Sequence, residues 1–250
     1  IVNSEAEART VLADSHQKTE ILVVDNGSGG VFELIKELRQ TYARLLIVLV
    51  DEDADFGMPG QADDVSTSPF DYDDLLKRIK RLTEERSLET LRADALPPVR
   101  KFAKSLRKAG PGQGKQQAAV EAIQELGYDY VAFYGMLPMT PPEMKLSAQV
   151  GPEALMAMAP QRQDFESSLV GWVMQNGQSR IVSADDDPNH SFIRQGRLGS
   201  AVCVPVGTSQ KFGVLFAARD QPGAVTQQNV LMLELVSAQL ASALAKANRP

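Results

Sequence analysis

The strongest constraint on this fold is a pair of apolar segments joined by a short polar turn. They lie between Leu198 and Asp220, in LGSAVCVPVGTSQKFGVLFAARD. Apolar side chains alternate on both sides of the turn, and this period of two is typical of β-strands. Both faces of the predicted hairpin are apolar, whereas a sheet with one face in water carries polar residues there. We therefore expect a helical layer on one face and a roofed cavity on the other.

Neighbouring segments supply covering elements. The spacing of apolar residues predicts a helix from Thr226 to Asn248, with Thr226 as its N-cap. Upstream, a short helix from Ser167 to Gln175 is predicted to end at Gly177, and a strand from Ser179 to Val182 follows. The hairpin thus lies between segments that are able to cover it.

The segment from 138 to 160 is rich in proline and methionine. Only Lys145 to Val150 has a strand pattern within it, and we expect the remainder to be loop that borders a pocket. The preceding segment, YDYVAFYGML, is predicted to begin the sheet.

This order of segments resembles the second half of a GAF domain, the small-molecule sensing fold of bacterial signalling proteins. The matching segments are LVGWVMQNG, IVSADDDPNHSF, GSAVCVPV, FGVLFAARD and TQQNVLMLELVSAQLASAL. The resemblance extends from about Arg100 to the end of the chain. It implies an α+β GAF domain over 115–250, with an antiparallel sheet and helices.

The resemblance also implies a ligand space between the sheet and a roof formed by 151–165 and 185–197. The candidate lining residues are Phe133, Trp172, Phe192 and Cys203, and the candidate polar contacts are His190 and Arg194. Three of these residues also have a purely structural explanation: Trp172 as a core residue, His190 as a surface or capping residue, and Cys203 as a small apolar strand residue.

Specific ligand classes are disfavoured by the residue types. The Asn, Lys, Phe, Asp and Glu set of cyclic-nucleotide GAF domains is not found, and Cys203 lacks the neighbouring histidine of bilin-binding members. Two distant histidines and one cysteine do not have the spacing of a zinc or iron site. We expect no cofactor and no metal, and the sequence leaves open an unidentified small-molecule ligand or none.

Strand and helix alternate in the first part of the chain, 1–84. ILVVD (Ile21 to Asp25) and LLIVLV (Leu45 to Val50) are apolar strand patterns, and helices are predicted from Val31 to Tyr42 and from Asp71 to Leu82. Such alternation predicts an α/β domain with a flavodoxin-like parallel sheet that is covered on both sides.

The first part resembles the receiver domain of two-component response regulators. ILVVDNGSGGVFELIKELR is similar to its strand, phosphoacceptor loop and helix, and QADDVSTSPFDYDDLLKRIKRL to its last strand and helix. Asp25 falls on the phosphoacceptor position, and its structural alternative is a solvent-facing carboxylate at a strand end. If Asp25 is aligned with the phosphoacceptor, the family's first strand and helix are expected to lie upstream of Ile1. An alternative register places them in IVNSEAEAR, with Asn3 and Ser4 in place of the acidic pair.

Two departures from the receiver pattern bear on phosphorylation. Ser68 precedes Pro69 where the family has a lysine, and Val50 stands where the family has threonine or serine. Phosphoryl transfer to a carboxylate depends on positioning and charge neutralisation, which these side chains provide in the family. We predict a degenerate pseudo-receiver in which Asp25 is not phosphorylated.

A helical linker is predicted over 85–114, including a basic helix from Val99 to Lys108. The 250 residues suffice for two domains, and the net charge of −6 argues against extended nucleic-acid binding. One cysteine fits a reducing cytoplasm. The longest aliphatic run, Leu45 to Val50, is far too short to span a membrane.

These features predict a non-enzymatic, cytoplasmic signal-transduction protein with a protein partner. Small residues along the helix from Thr226 to Asn248 predict a homodimer, in which the helix from Val99 to Lys108 joins the bundle. Two alternatives remain open at this point. One is the N-terminal regulatory fragment of a sensor kinase or nucleotide cyclase, and the other is a genuine phospho-accepting receiver.

Overall fold

The chain divides into two compact units, residues 1–92 and 93–250. The structure is a computed structural model. It describes residues 1–13, 19–27, 30–52, 61–94, 97–137, 139–140, 142–183, 191–207 and 210–247.

The first unit contains a three-stranded parallel sheet flanked by helices. Strand β1 pairs with β2, and β2 pairs with β3, so the spatial order of the strands follows the chain. The carboxyl ends of the three strands therefore lie at one edge of the sheet, and the prediction of a parallel sheet here is confirmed. The elements in order are α1 (Glu5–Ala13), β1 (Ile21–Asp25), α2 (Val31–Thr41), β2 (Leu46–Val50), β3 (Asp64–Ser66) and α3 (Asp74–Asp94).

Alternate residues of β2 face two separate apolar clusters. Ile47 and Leu49 pack with Ile35 of α2 in one cluster, whereas Val48 packs with Leu82 of α3 in the other. Burying each of these side chains contributes roughly 1.5–3 kcal/mol of transfer free energy. Both faces of the central strand are thus covered, which explains its uninterrupted apolar sequence.

Arg39 of α2 joins the start of β2 to the segment that leads into β3. Its Nε donates to the carbonyl of Gln61 at 2.7 Å, its Nη1 donates to the carbonyl of Leu45 at 2.5 Å, and its Nη2 pairs with Asp63. The Asp63 carboxylate also accepts from the backbone N–H of Ile47 at 2.6 Å. This buried guanidinium therefore holds the start of β2 against the segment that leads into β3.

The second unit is built on a six-stranded antiparallel sheet of order β6-β5-β4-β9-β8-β7. The predicted hairpin is β8 and β9, in register from Ser200↔Arg219 to Val206↔Gly213. The elements in order are α4 (Pro97–Lys108), α5 (Gln113–Gln124), β4 (Tyr130–Leu137), β5 (Glu143–Val150), α6 (Glu153–Met158), β6 (Arg162–Asp164), α7 (Leu169–Asn176), β7 (Arg180–Ser183), α8 (Ser191–Gln195), β8 (Ser200–Val206), β9 (Gly213–Arg219) and α9 (Gln227–Ala247).

Helices α5 and α9 cover one face of this sheet, and α4 packs against both of them. The segment predicted as a linker is therefore helical, and its second helix belongs to the second unit. Val99, Phe102 and Leu106 on the apolar side of α4 are buried there, which leaves the basic residues at the surface. This helix was expected to join a dimer bundle, but its apolar face packs within the chain.

Helix α9 begins as its sequence predicts. The Thr226 hydroxyl accepts from the backbone N–H of Asn229 at 3.4 Å, and the Asn229 side chain accepts from the Thr226 N–H at 2.9 Å. By length and composition α9 is the one described helix long and apolar enough to cross a membrane. Its Val230, Val236 and Leu240 are fully buried in the unit, as in the core helix of a globular domain.

The other face of the sheet is covered by α6, α7, α8 and their connections, here called the roof. The prediction of loop for most of 138–160 is wrong at Glu153–Met158, which forms α6 with Leu155 buried. Helix α7 begins at Leu169, two residues after the predicted Ser167, and its N-cap is Ser168, whose hydroxyl accepts from the N–H of Gly171 at 3.0 Å. Gly177 ends the helix as predicted, in a left-handed conformation. Gly171 lies so near the Phe165 carbonyl that a Cβ there would approach it to 2.1 Å.

Candidate functional site

The space between the second sheet and its roof is occupied by a cluster of buried side chains. Tyr130 and Tyr134 of β4 point into it, together with Cys203 of β8 and Phe216 of β9. The roof contributes apolar residues of its own, among them Leu155 of α6, Ala159, Val173 and Met174 of α7, Ile193 of α8 and Leu198. The predicted helical layer covers one face of the sheet. On the other face, where a roofed cavity was expected, the described residues form a packed interior of buried side chains.

A chain of hydrogen bonds crosses this interior from the sheet to the roof. The Tyr130 hydroxyl donates to Oε1 of Gln149 on β5 at 2.8 Å, and Nε2 of Gln149 donates to the carbonyl of Met156 in α6 at 3.3 Å. Burial raises the pKa of Tyr130 well above its ordinary value, so the hydroxyl keeps its proton and remains a donor. Gln149 thus ties the central strand to the first roof helix.

A second tyrosine hydroxyl extends this polar group. Burial raises the pKa of Tyr134 to about 12, although its hydrogen bond to the Gln163 side chain works in the opposite direction. The Tyr134 hydroxyl also interacts with that of Tyr130. The interior therefore combines two phenol hydroxyls and two amides with an apolar lining, which is the composition of small-molecule sites.

Three aromatic rings, those of Tyr130, Phe192 and Phe216, pack against one another in this interior. The Phe192 ring of α8 lies 5.2 Å from the Tyr130 ring at 62°, and the Phe216 ring lies 6.0 Å from each of the other two. Edge-to-face pairs of this kind favour a fixed mutual orientation. Phe192 is thereby one of the residues through which α8 packs on the interior, and it was predicted to lie there.

Trp172 and Cys203 lie at the same interior but differ in exposure. Trp172 of α7 is half-buried, and the guanidinium of Arg180 lies 5.3 Å from its ring centroid. Cys203 is fully buried, and this burial raises the pKa of its thiol far above the ordinary value, while Arg180 acts weakly against the shift. A buried neutral thiol is unreactive, which agrees with the interpretation of Cys203 as a small apolar strand residue.

Phe133 lies on the opposite face of the sheet from the other predicted lining residues that the structure places at the interior. It is fully buried, but it pairs with Leu215 of β9, whose side chain faces α5 and α9, while the next pair, Ala132↔Phe216, faces the roof. Alternation along the strand therefore directs Phe133 to the helical layer. The prediction that Phe133 lines the space beneath the roof is therefore wrong.

Neither of the two predicted polar contacts is seen in the interior formed by the described residues. The Arg194 side chain is exposed on α8. His190 lies outside the described residues, as does the rest of 184–190, which was expected to contribute to the roof. The polar groups that do reach the interior, Tyr130, Tyr134 and Gln149, were not singled out from the sequence.

Asp25 lies at the carboxyl edge of the first sheet. Its Oδ1 accepts from the backbone N–H of Gly27 at 2.9 Å, and Nδ2 of the adjacent Asn26 donates to Oδ2 of Asp51 at 2.8 Å. Together with Pro69 these residues border a cavity of about 690 Å³. Among the described residues, no group of three or more His, Cys, Asp or Glu side chains has the arrangement of a metal site.

Comparison with solved structures shows the fold of the second unit. A free methionine-R-sulfoxide reductase from Neisseria meningitidis, solved with its substrate, matches 58% of this chain and 85% of its own at 19% identity and a TM-score of 0.51. The GAF domain of an Acinetobacter phosphoenolpyruvate-protein phosphotransferase matches 60% and 92% at 20% identity and a TM-score of 0.50. The GAF domain of the corresponding Coxiella burnetii protein matches 64% and 95% at 15% identity and a TM-score of 0.51.

The family comparison agrees with this fold. No curated protein matches the chain. The GAF domain model matches residues 116–245, which is more than half of the chain and includes the sheet, the roof and most of α9. This chain therefore belongs to the GAF domain family.

Proposed function

We propose that this chain is a non-enzymatic regulatory protein whose GAF unit senses a small molecule beneath the roof. A degenerate receiver-like unit precedes it, and the output passes to a protein partner. Membership of the GAF family supports the sensory or regulatory role. The observation that carries the proposal is the hydrogen-bonded link from Tyr130 through Gln149 to Met156 inside an apolar space.

The link indicates how a ligand would act. An incoming planar molecule with a hydrogen-bonding group replaces the bond between Tyr130 and Gln149, and its ring takes a place among Phe192 and Phe216. Gln149 then no longer ties β5 to the carbonyl of Met156, and α6 moves relative to the sheet. Binding is thereby converted into a displacement of the roof, because the ligand favours the roof position in which the link is open.

The receiver-like assignment of the first unit is part of the proposal. Its support is a parallel sheet of consecutive order with Asp25 at the carboxyl end of β1. Ser68 and Val50 replace the lysine and hydroxyl of a working receiver, and we propose that Asp25 is not a phosphoacceptor. An unphosphorylated unit of this type acts as a contact surface.

The non-enzymatic part of the proposal is supported by the state of the single thiol. Cys203 is buried with a raised pKa, so it does not supply a nucleophile or a redox group. Its reduced state is compatible with the cytoplasmic location that we propose.

We also propose that the protein is a homodimer through the exposed side of α9. Ala238 and Ser242 are exposed there, whereas Ser237 points inward and donates to the carbonyl of Pro205 at 2.5 Å. Small exposed residues permit close approach of two helices. Only part of the small residues of α9 is therefore available for contact with a second copy of the chain.

A thermal-shift screen tests ligand sensing. Benzamide, nicotinamide and the free purine and pyrimidine bases serve as probes, because each joins a planar ring to hydrogen-bonding groups. We expect at least one to raise the unfolding midpoint of the wild-type chain, with the rise lost in Tyr130→Phe/Gln149→Leu and kept in the control Tyr128→Phe. Equal shifts in all three proteins, or no shift with any probe, would contradict a site at this link.

A further inference from the structure

Two aromatic side chains project from the loop between β3 and α3. Phe70 and Tyr72 are each 90% exposed, and Leu76 in the first turns of α3 is 49% exposed. Exposed apolar side chains that lie close in sequence are suited to contact sites, and Tyr and Phe are enriched in the cores of interfaces. The loop therefore presents apolar residues that are suited to contact with a partner.

The backbone of this loop is in an unfavourable conformation at one of the two aromatic residues, Tyr72, and at the residue that follows it. Tyr72 and Asp73 have φ values of +49° and +60°, in the left-handed region that residues with a side chain disfavour. Turn hydrogen bonds fix the loop, from the N–H of Asp71 to the carbonyl of Ser68 at 3.1 Å and from the N–H of Asp74 to the carbonyl of Asp71 at 3.0 Å. Two successive strained residues that persist in a fixed loop are typical of functional segments.

The far end of the loop is anchored to the body of the unit. The Asp74 carboxylate accepts from the Ser66 hydroxyl at 2.7 Å and from Nε of Arg78 at 2.6 Å. These bonds lower the pKa of Asp74 below its usual range, with the Arg78 hydrogen bond as the largest cause. The aromatic pair is thus carried on a support that is rigid at both β3 and α3.

Beside the aromatic pair is the cavity of about 690 Å³ at the carboxyl edge of the sheet, to which Phe70 itself contributes. Its apolar lining includes Val23, Pro69 and Leu75. Among the residues that the structure describes, the charged ones in its lining are Asp25, Asp51 and Glu52, and all three are acidic. An occupant that matches this surface needs positive charge for the carboxylates and apolar groups for the aromatic pair.

We propose that this edge of the first unit is the docking site for a basic, apolar-anchored segment of a partner protein. An Arg or Lys of the segment enters the cavity between Asp25 and Asp51, and an adjacent apolar residue packs on Phe70 and Tyr72. A guanidinium in this position also lies near aromatic faces, which attract cations. The proposal rests on the regulatory role proposed above, but it concerns the first unit, so its test is independent of ligand binding beneath the roof.

Fluorescence anisotropy with labelled peptides tests the docking site in the full chain. The probe is a peptide of alternating Arg and Leu, compared with peptides of alternating Arg and Ser and of alternating Glu and Leu. We expect the first to bind most tightly, and expect Phe70→Ser/Tyr72→Ser to weaken it on the order of tenfold. Asp25→Asn/Asp51→Asn is expected to weaken it about tenfold at low salt and to reduce its salt dependence.

Matched variants control for general attraction between a basic peptide and an acidic protein. Phe32→Ser removes an apolar residue of α2 that is 48% exposed, and Glu84→Gln/Glu89→Gln removes two exposed charges of α3. Both are expected to change affinity by less than about twofold. Equal losses in the control and test variants would overturn the proposal. Light scattering that shows self-association lost in Phe70→Ser/Tyr72→Ser would also overturn it, since a second copy would then be the occupant.

Discussion

The hydroxyl of Tyr130 and the amide of Gln149 lie 2.8 Å apart across two neighbouring strands, inside a lining of apolar side chains. Gln149 reaches in turn to the carbonyl of Met156, so one side chain connects the sheet with the first helix above it. In a low-dielectric interior such bonds are strong, and leaving one partner unpaired is expensive. The same feature therefore governs the stability of the second unit and its proposed sensing.

Removal of the Tyr130 hydroxyl alone is expected to be worse than removal of both partners. Tyr130→Phe leaves Oε1 of Gln149 unpaired and should cost about 2 kcal/mol, whereas adding Gln149→Leu recovers part of this loss. Urea unfolding followed by fluorescence of Trp172, the only tryptophan, reports on the second unit. Strictly additive losses in the double-mutant cycle would show that the two side chains do not interact.

Alkaline pH is expected to unfold the second unit. Burial raises the pKa of Tyr128 and of Tyr134 to about 12 from an ordinary 10.0, against weaker opposing effects of Arg219 and Gln163. Because the unfolded chain ionises first, the stabilisation is complete below about pH 10 and decreases from there to about pH 12. Tyrosinate absorbance and Trp172 fluorescence should change together as pH rises. Ionisation of these tyrosines while fluorescence stays native would disagree with their burial.

The Cys203 thiol is expected to be inert in the native chain. It is fully buried and its pKa is raised by that burial, so little thiolate forms at neutral pH. A colorimetric disulfide reagent should react with it only after denaturant is added, at the rate of unfolding. Rapid reaction of the native chain at neutral pH would instead indicate an accessible thiol and would reopen a redox role.

Arg39 should be essential to the first unit. Arg39→Met leaves the Asp63 carboxylate with the Ile47 N–H but without its cationic partner, and removes the Arg39 donor from two carbonyls. It is expected to destabilise the unit by about 3 kcal/mol. Arg9→Met is the matched control, since its partners Glu5 and Glu37 are exposed and such pairs contribute below about 1 kcal/mol. Amide hydrogen exchange of β2 measures both. Similar exchange rates in the two variants would argue against a special role for Arg39.

Asp25 is expected to remain unmodified by phosphoryl donors. The cavity beside it carries Asp51 and Glu52 but neither the lysine nor the hydroxyl of the receiver pattern, so the added charge has no fixed partner. Incubation with acetyl phosphate and magnesium followed by intact mass spectrometry checks this. A gain of one phosphoryl group that disappears in Asp25→Ala would establish a working receiver in place of a degenerate one.

The sequence allows the regular elements of the second unit to be predicted because their signals are local. Ser168 and Gly177 mark the ends of α7, Thr226 marks the start of α9, and the alternation in β8 and β9 is uninterrupted. Helix α6 was missed because six residues are too few for a periodic pattern to be recognised.

The side chains that face the interior could not be predicted from the sequence, because the face on which each one lies depends on the register between strands. Five consecutive residues of β4, from Tyr130 to Tyr134, are buried, so no polar position indicates which face Phe133 occupies. If side chains alternated strictly along β5 from Met144 and Leu146, Gln149 would face away from the roof. A register shift between Phe133 and Tyr134 places Gln149 opposite Ala132 and returns it to the roof face.

Native mass spectrometry of freshly purified chain tests the central claim most directly. We predict a fraction of the protein that carries a non-covalent small molecule, and predict that this fraction falls sharply in Tyr130→Phe/Gln149→Leu but not in Tyr128→Phe. Spectra with the bare polypeptide mass in all three proteins, or a small molecule retained equally by all of them, would contradict a sensing site at the link between Tyr130 and Gln149.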